Sequence, residues 1–294
     1  MEKIKKCNVC ESSDFDNFIS TKDFSVSKEL FSLSQCLSCG FVFTNPKPKD
    51  EDLYKYYISK NYISHTNSKK TLFEKTYQII RKYTLHKKYL MIKKIISRGK
   101  ILDIGSGTGD FLYKFKKNNW ETRGVEPNKK ARESSIKKYN LNVDDSFIPE
   151  NIKEKFDIIS MWHVLEHIPD INKTIENINK SLKKDGKLIV AVPNLESWDA
   201  KYYKKHWAAY DVPIHLHHFS KKTISQLLDN HGFKMASCSG MKFDSFYVSM
   251  LSEEYKTGKK NFIRACVIGS ISNIAGYISK RGFSSQTYIF EKKT

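Results

Sequence analysis

Arginine is nearly missing from this chain. Only six of its 51 basic side chains are arginine, and the basic residues outnumber 32 acidic ones. A formal net charge of +19 would by itself argue for a polyphosphate partner, because clustered cations attract phosphate. The chain has little, however, of the planar fork that contacts phosphate and guanine in bidentate fashion. Its lysines are scattered among abundant Asn and Ile, with no basic-aromatic recognition motif. A nucleic-acid partner is therefore disfavoured, and a coding bias toward lysine accounts for most of the charge.

Other shortages narrow the reading further. Of only six cysteines, Cys238 and Cys266 stand alone while four are spaced as metal ligands, which suits a reducing compartment better than a disulfide framework. No apolar run precedes Cys7, so no secretory leader is expected and the location reads as cytoplasmic. One stretch, Phe262–Ser279, is apolar enough to raise a membrane role, but Arg264, Asn273, two glycines and three serines interrupt it. A spanning helix needs about 20 predominantly apolar residues. A lid or packing helix is the main reading. Contact with a membrane surface carrying a lipid-linked substrate, through the flanking Lys259, Lys260, Lys280 and Arg281, is the minor one. Internal repeats and low-complexity segments are also missing, and 39% hydrophobic residues suffice for a buried core.

The richest stretch is Lys100–Leu112, KILDIGSGTGDFL, which reads as a buried strand, a turn of alternating glycines and a helix start. Asp103 falls at the strand's C-terminal end, where open α/β sheets place ligands. Gly105, Gly107 and Gly109 remove side chains and admit positive φ. The spacing departs from the dinucleotide fingerprint G-x-G-x-x-G, since Asp110 stands where its third glycine would be. A pyrophosphate wants amides or cations, whereas Asp103 and Asp110 favour an amine-bearing, phosphate-free ligand. A second strand ends at Glu126, 21 residues after Gly105, where a carboxylate can accept both hydroxyls of a ribose. Strands over 156–161, with Trp162 and His163 at the end, and over 187–192 follow, and later strands are expected over 232–238 and 286–291. Helices are expected over 109–118, 128–138, 171–184 and 221–230. Such alternation builds a mostly parallel sheet with helices on both faces.

In their order and spacing, LDIGSGTGDFL, GVEPN, FDIISMWHVLEHIPD and DGKLIVAVPN resemble the class I S-adenosylmethionine-dependent methyltransferases over about residues 85–240. The resemblance implies an α/β, Rossmann-like sheet, mostly parallel with an antiparallel last strand, and S-adenosylmethionine as cofactor. It places Asp103, Gly105 and Gly107 at the methionine end, with Gly109 in the same turn, and Glu126 at the ribose. Asp145 and Ser146 would lie beside the adenine, and Trp162 and His163 beneath the sulfonium.

Cys7-x-x-Cys10 and Cys36-x-x-Cys39 form two knuckles whose four thiolates suit one tetrahedral Zn2+. A closed four-cysteine site leaves no open position, so the role is structural, and the metal would supply folding energy that so short a segment lacks. Phe41–Pro48, with two prolines, reads as a linker. The expected segmentation is a zinc-knuckle segment over 1–48, a helical connector over 49–98, and the α/β domain over 99–294 with an insertion at 241–284. The run WAAYDVPIHLHHFS at 207–220 follows the fifth strand, with Ser220 as an N-cap. Together with the cysteine head it resembles the zinc-containing sugar C-methyltransferases, which implies His215 as the base, with His163 as the alternative. That family has Glu where this chain has Ile214, and carries a further C-terminal domain without a counterpart in these residues. The implied function is methyl transfer to a small molecule such as a sugar or glycan precursor. An RNA methyltransferase is the runner-up, although the N/D-P-P-Y/F run of many base-modifying enzymes is missing. A non-catalytic cofactor-binding regulator is the third reading.

Overall fold

The computed structural model describes residues 1–57, 72–145, 155–279 and 281–293, with the backbone alone over 72–77. The described residues gather into two compact units. One takes in residues 1–57, 163–175, 190–279 and 281–293, the other 72–145, 155–162 and 176–189. The expected boundaries at 48 and 98 follow the chain, whereas these units cut across it.

In the second unit, strand β4 (Lys100–Ile104) pairs in parallel with β5 (Glu121–Val125) and β7 (Phe156–Trp162), and β5 with β6 (Asn142–Asp144). Ile101, Leu102, Ile104, Ile158, Ile159 and Met161 are all buried. These continuous apolar runs are what a parallel sheet covered on both faces requires. Helices α1 (Leu72–Ile95), α2 (Asp110–Lys116) and α3 (Lys129–Tyr139) belong to this unit, and Asn128 caps α3 by accepting from Ala131 N. Helix α4 (Ile171–Ser181) leads into β8 (Leu182–Pro193), which takes part in both units.

The full sheet has seven strands. Its order is β10-β11-β8-β7-β4-β5-β6, where β10 (Phe233–Gly240) and β11 (Ser285–Lys292) pair antiparallel. The reversed last strand thus falls where the resemblance implied it.

The first unit holds a feature the sequence reading missed. A four-stranded sheet runs β1-β2-β3-β9, formed by Phe15–Lys22, Leu30–Cys36, Val42–Thr44 and His217–His218. The expected linker over Phe41–Pro48 therefore contains strand β3, whose Val42 and Phe43 face His218 and His217. Phe41, Val42 and Phe43 are all buried, and three consecutive large apolar side chains favour burial over a solvated crossing. The prolines only end the strand, because they donate no ladder hydrogen bond.

Phe31, Leu33 and Val42 of the head share one core with Tyr203, Trp207, Tyr210 and Val248. Helices α5 (Trp198–Tyr203) and α6 (Lys221–Asn230) precede β10, and Ser220 caps α6 in a reciprocal box with Thr223. The 241–284 region folds into α7 (Asp244–Thr257) and α8 (Phe262–Ile278). Helix α8 buries Ala265, Gly269, Ser272 and Gly276, small residues that allow close approach. A Cβ added at Gly269 would lie 2.7 Å from the Phe246 ring. Its other side exposes Ile263, Val267, Ile274 and Ile278. Among the described residues, no helix is long and apolar enough to cross a membrane.

Candidate active site

The glycine turn lies wholly in the second unit. Gly105, Gly107 and Gly109 all have positive φ, at 72°, 54° and 78°. At Gly109 a Cβ would also come within 2.6 Å of Leu141, so glycine is required there twice over. Asp103 is 2% exposed and accepts from Ser160 Oγ at 2.6 Å. Burial pushes its carboxyl up to about 7, against the pull of that hydrogen bond and of the Lys88 charge. Glu126 is 6% exposed, and its two oxygens accept from Gly107 N and Asn128 N, each at 2.8 Å. Each oxygen keeps a further lone pair for a ligand hydroxyl.

In the same unit two buried donors, Ser106 Oγ within the turn and Trp162 Nε1 at the end of β7, have no hydrogen-bond partner. Acidic, donor-bearing and glycine-lined, the turn fits an amine- and hydroxyl-bearing ligand such as S-adenosylmethionine.

Asp110 does not share in that site. Its carboxylate takes Arg81 Nη2 at 2.6 Å, Thr108 Oγ1 at 2.8 Å and Tyr139 OH at 2.5 Å, a set that clamps α1, α2 and α3. Of the turn's two acidic groups Asp103 alone is thus left for a ligand, with Glu126 just past the end of the next strand. Asp145 is exposed, while its neighbour Asp144 pairs with Arg123 at 2.8 Å; Ser146 lies outside the described residues. Trp162 stacks edge-on against Phe111, and the Lys88 ammonium sits 4.0 Å from its ring centroid.

The candidate histidines His163 and His215 fall in the first unit, and the structure separates them by role. His163 has φ 57°, a left-handed conformation at a strand end that marks a position held by its surroundings. Its Nε2 lies 3.0 Å from Asp244 and its Nδ1 3.4 Å from Glu166. Burial works against protonation, but the two carboxylates prevail and raise the ring to about 9. His163 therefore holds both protons at neutral pH.

His215 is buried, and its Nδ1 faces the Ala209 carbonyl at 2.9 Å. Burial lowers its pKa, leaving a neutral ring whose Nε2 carries the lone pair, 4.0 Å from Asp211. His217 and His218 are committed elsewhere: Nε2 of each meets the Ile168 carbonyl at 2.9 Å and Thr44 Oγ1 at 3.3 Å, respectively. Asp244, Glu166, His167 and Asp211 escaped the sequence reading as site residues. The adjacent Glu166-His167 pair inside a quoted motif was the one available signal.

In the N-terminal head, Cys7 Sγ lies 3.6 Å from Cys39 Sγ, and Cys10 Sγ 3.5 Å from Cys36 Sγ. All four sulfurs fall within 4.8 Å of one another. A tetrahedral ion with sulfur at about 2.3 Å needs sulfurs about 3.8 Å apart, so the cluster fits.

Strand order, reversed last strand and acidic glycine turn together define the class I S-adenosylmethionine-dependent methyltransferase fold. The family described as "Methyltransferase domain" matches residues 77–237, more than half of the chain, and the chain belongs to it. A curated relative, an O-methyltransferase of ubiquinone biosynthesis from Pelagibacter ubique, is 29% identical over 157 residues. That match covers 49% of this chain and 65% of the relative, just under two thirds of its length. Among solved structures, a SAM-dependent methyltransferase from Archaeoglobus fulgidus superposes with TM-score 0.50 at 19% identity, covering 75% of this chain and 98% of that one. A protein from Pyrococcus horikoshii reaches 0.51 at 13% identity, covering 81% and 99%. At such identities the likeness extends to the fold alone.

Proposed function

We propose that this chain methylates a small-molecule acceptor with S-adenosylmethionine as donor. The observation that carries the reading is the pair of buried carboxylates, Asp103 and Glu126, at a turn whose three glycines all have positive φ. Bound there, S-adenosylmethionine supplies an electrophilic methyl group on a sulfonium. Asp103 would meet the ligand's ammonium, which compensates the cost of ionising a buried carboxyl, and Glu126 would accept its ribose hydroxyls.

Alignment does much of the work in such displacements. A hydroxyl or carbon acceptor must also lose a proton, and His215 Nε2 is the neutral acceptor for it. His163, protonated between Asp244 and Glu166, would contribute charge and orientation.

The four cysteines would hold one structural zinc, supported by their sulfur spacing. Metal analysis should find about one zinc per chain, lost together with the order of the head in Cys36→Ser. A metal-free protein with an ordered head would reject the zinc. The run at 207–220 supports a sugar or glycan precursor as acceptor, while the name of the Pelagibacter relative supports an oxygen as the methylated atom.

A turnover screen with product mass readout, across nucleotide-sugars, glycans, phenols and total RNA, tests this. Methylated small molecules are expected. Methylated RNA alone would install the alternative enzyme, and cofactor binding without any turnover would mark a regulator.

A further inference from the structure

Glu166 is 1% exposed, and neither of its carboxylate oxygens accepts a hydrogen bond. A buried carboxylate in that condition is costly unless something cationic meets it. The nearest charge, His163 Nδ1, stands 3.4 Å from one oxygen.

The other neighbours add acceptors. His167 Nδ1 lies 3.0 Å from the Ile214 carbonyl, and His215 Nδ1 lies 2.9 Å from the Ala209 carbonyl. A carbonyl can only accept, so Nδ1 is the protonated nitrogen of each ring and Nε2 carries the lone pair. The two rings meet edge to face with centroids 4.5 Å apart. One ligand atom from each of Glu166, His167 and His215 falls within 4.8 Å of the others. Two imidazoles and one carboxylate thus converge, with the His163 ring as the one cation beside them.

From this juxtaposition we propose that Glu166, His167 and His215 bind a divalent transition-metal cation, separate from the four-cysteine cluster. Both imidazoles already have the support that metal-bound histidines need, the second ring nitrogen fixed on a backbone carbonyl. Two nitrogens and one carboxylate favour zinc, manganese, iron or cobalt over calcium or magnesium. Ligands at about 2.1 Å stand roughly 3.0–3.4 Å apart, so a small contraction of the cluster completes the geometry. Three protein ligands leave positions open, and Asp211, 4.0 Å from His215 Nε2, stands ready to anchor a metal-bound water. An acceptor hydroxyl in an open position would have its pKa lowered by the cation. With the cation in place, the His215 lone pair would be spent on holding the metal and the acidified acceptor's proton would leave to Asp211 or to water; without it, His215 would take the proton by direct abstraction. The cation site stands on its own geometry and does not rest on the methyl-transfer reading.

Full-length protein, desalted from chelator, is titrated with MnCl2 under electron paramagnetic resonance and with CoCl2 under absorption. One Mn2+ per chain is expected, together with a cobalt spectrum that contains d–d bands beyond any thiolate charge-transfer band. Glu166→Gln and His167→Asn should weaken Mn2+ binding by about tenfold or more while S-adenosylhomocysteine affinity stays at the wild-type level. Wild-type protein that takes up no Mn2+ and shows cobalt only on thiolates would overturn the proposal, whether or not the variants fold. Folded variants that keep wild-type Mn2+ affinity would overturn it too. Loss of S-adenosylhomocysteine binding in the wild type, with Mn2+ binding intact, would instead defeat the methyl-transfer reading alone.

Discussion

The glycine turn and the histidine cluster solve opposite problems. The turn draws Asp103, Gly105, Gly107 and Gly109 from one contiguous stretch and adds Glu126 from the next strand in the chain. The cluster collects Glu166 and His167 from a short 3-10 turn, His215 and Asp211 from a loop nearly fifty residues on, and Asp244 from the start of α7. In the turn, backbone conformation positions the groups. In the cluster, burial and mutual charge do, with His163 raised by its two carboxylates and His215 lowered by its burial. A site built on backbone geometry announces itself through residue types that only one conformation tolerates. A site built on side chains is visible only once they have met.

The sharpest way to test this comparison is to remove one member from each side. His215→Ala should depress turnover by about 10²–10⁴-fold, the range of a general base, with S-adenosylhomocysteine affinity near wild type. Should activity survive there and vanish in His163→Ala, the proton acceptor belongs at the strand end. Full turnover in both would make the cluster a packing feature.

On the turn, Glu126→Ala leaves ribose hydroxyls without a charged acceptor and should cost roughly 1.5–3 kcal/mol of cofactor binding by calorimetry. Unchanged affinity, or tighter binding of NAD than of S-adenosylhomocysteine, would remove the ribose role.

Gly109→Ala probes the backbone itself. A φ of 78° and a Cβ 2.6 Å from Leu141 should cost about 1–3 kcal/mol of stability in denaturant unfolding. A neutral result would mean that the turn is not conformationally demanding.

The smallest effect concerns pH. Burial raises Asp103 to about 7, so between the ordinary carboxylate range and neutrality the native ligand-free protein holds a proton there that the unfolded chain has lost. An ammonium ligand prefers the ionised form, so cofactor affinity should rise with pH by at most about tenfold per unit below 7 and level off above it. Calorimetry in buffers of different ionisation enthalpy should register proton release on binding at pH 6. Affinity independent of pH from 5 to 8 would place the amine away from Asp103.

Much of the fold was legible because the parallel strands are apolar on both faces and glycines punctuate the turn after β4. The expected strand over 101–104 and helix over 109–118 appear as Lys100–Ile104 and Asp110–Lys116. Strand β3 was not legible, since the two prolines after it resemble a linker and its partner, His217–His218, lies far along the chain. Asp110 misled for a related reason. Its place in the turn suggested a ligand, and only the fold brought Arg81 and Tyr139 to it.

By itself, then, the amino-acid order determined the strand-turn-helix unit, the cysteine pairs and the acidic strand ends, because each depends on local periodicity or on residues few positions apart. The tertiary structure alone decided which histidine holds its protons and which keeps a lone pair. It also decided that β3 belongs to a sheet and that Glu166, His167 and His215 converge. Protonation and convergence depend on burial and on carboxylates supplied from distant segments, and no spacing along the chain encodes those distances.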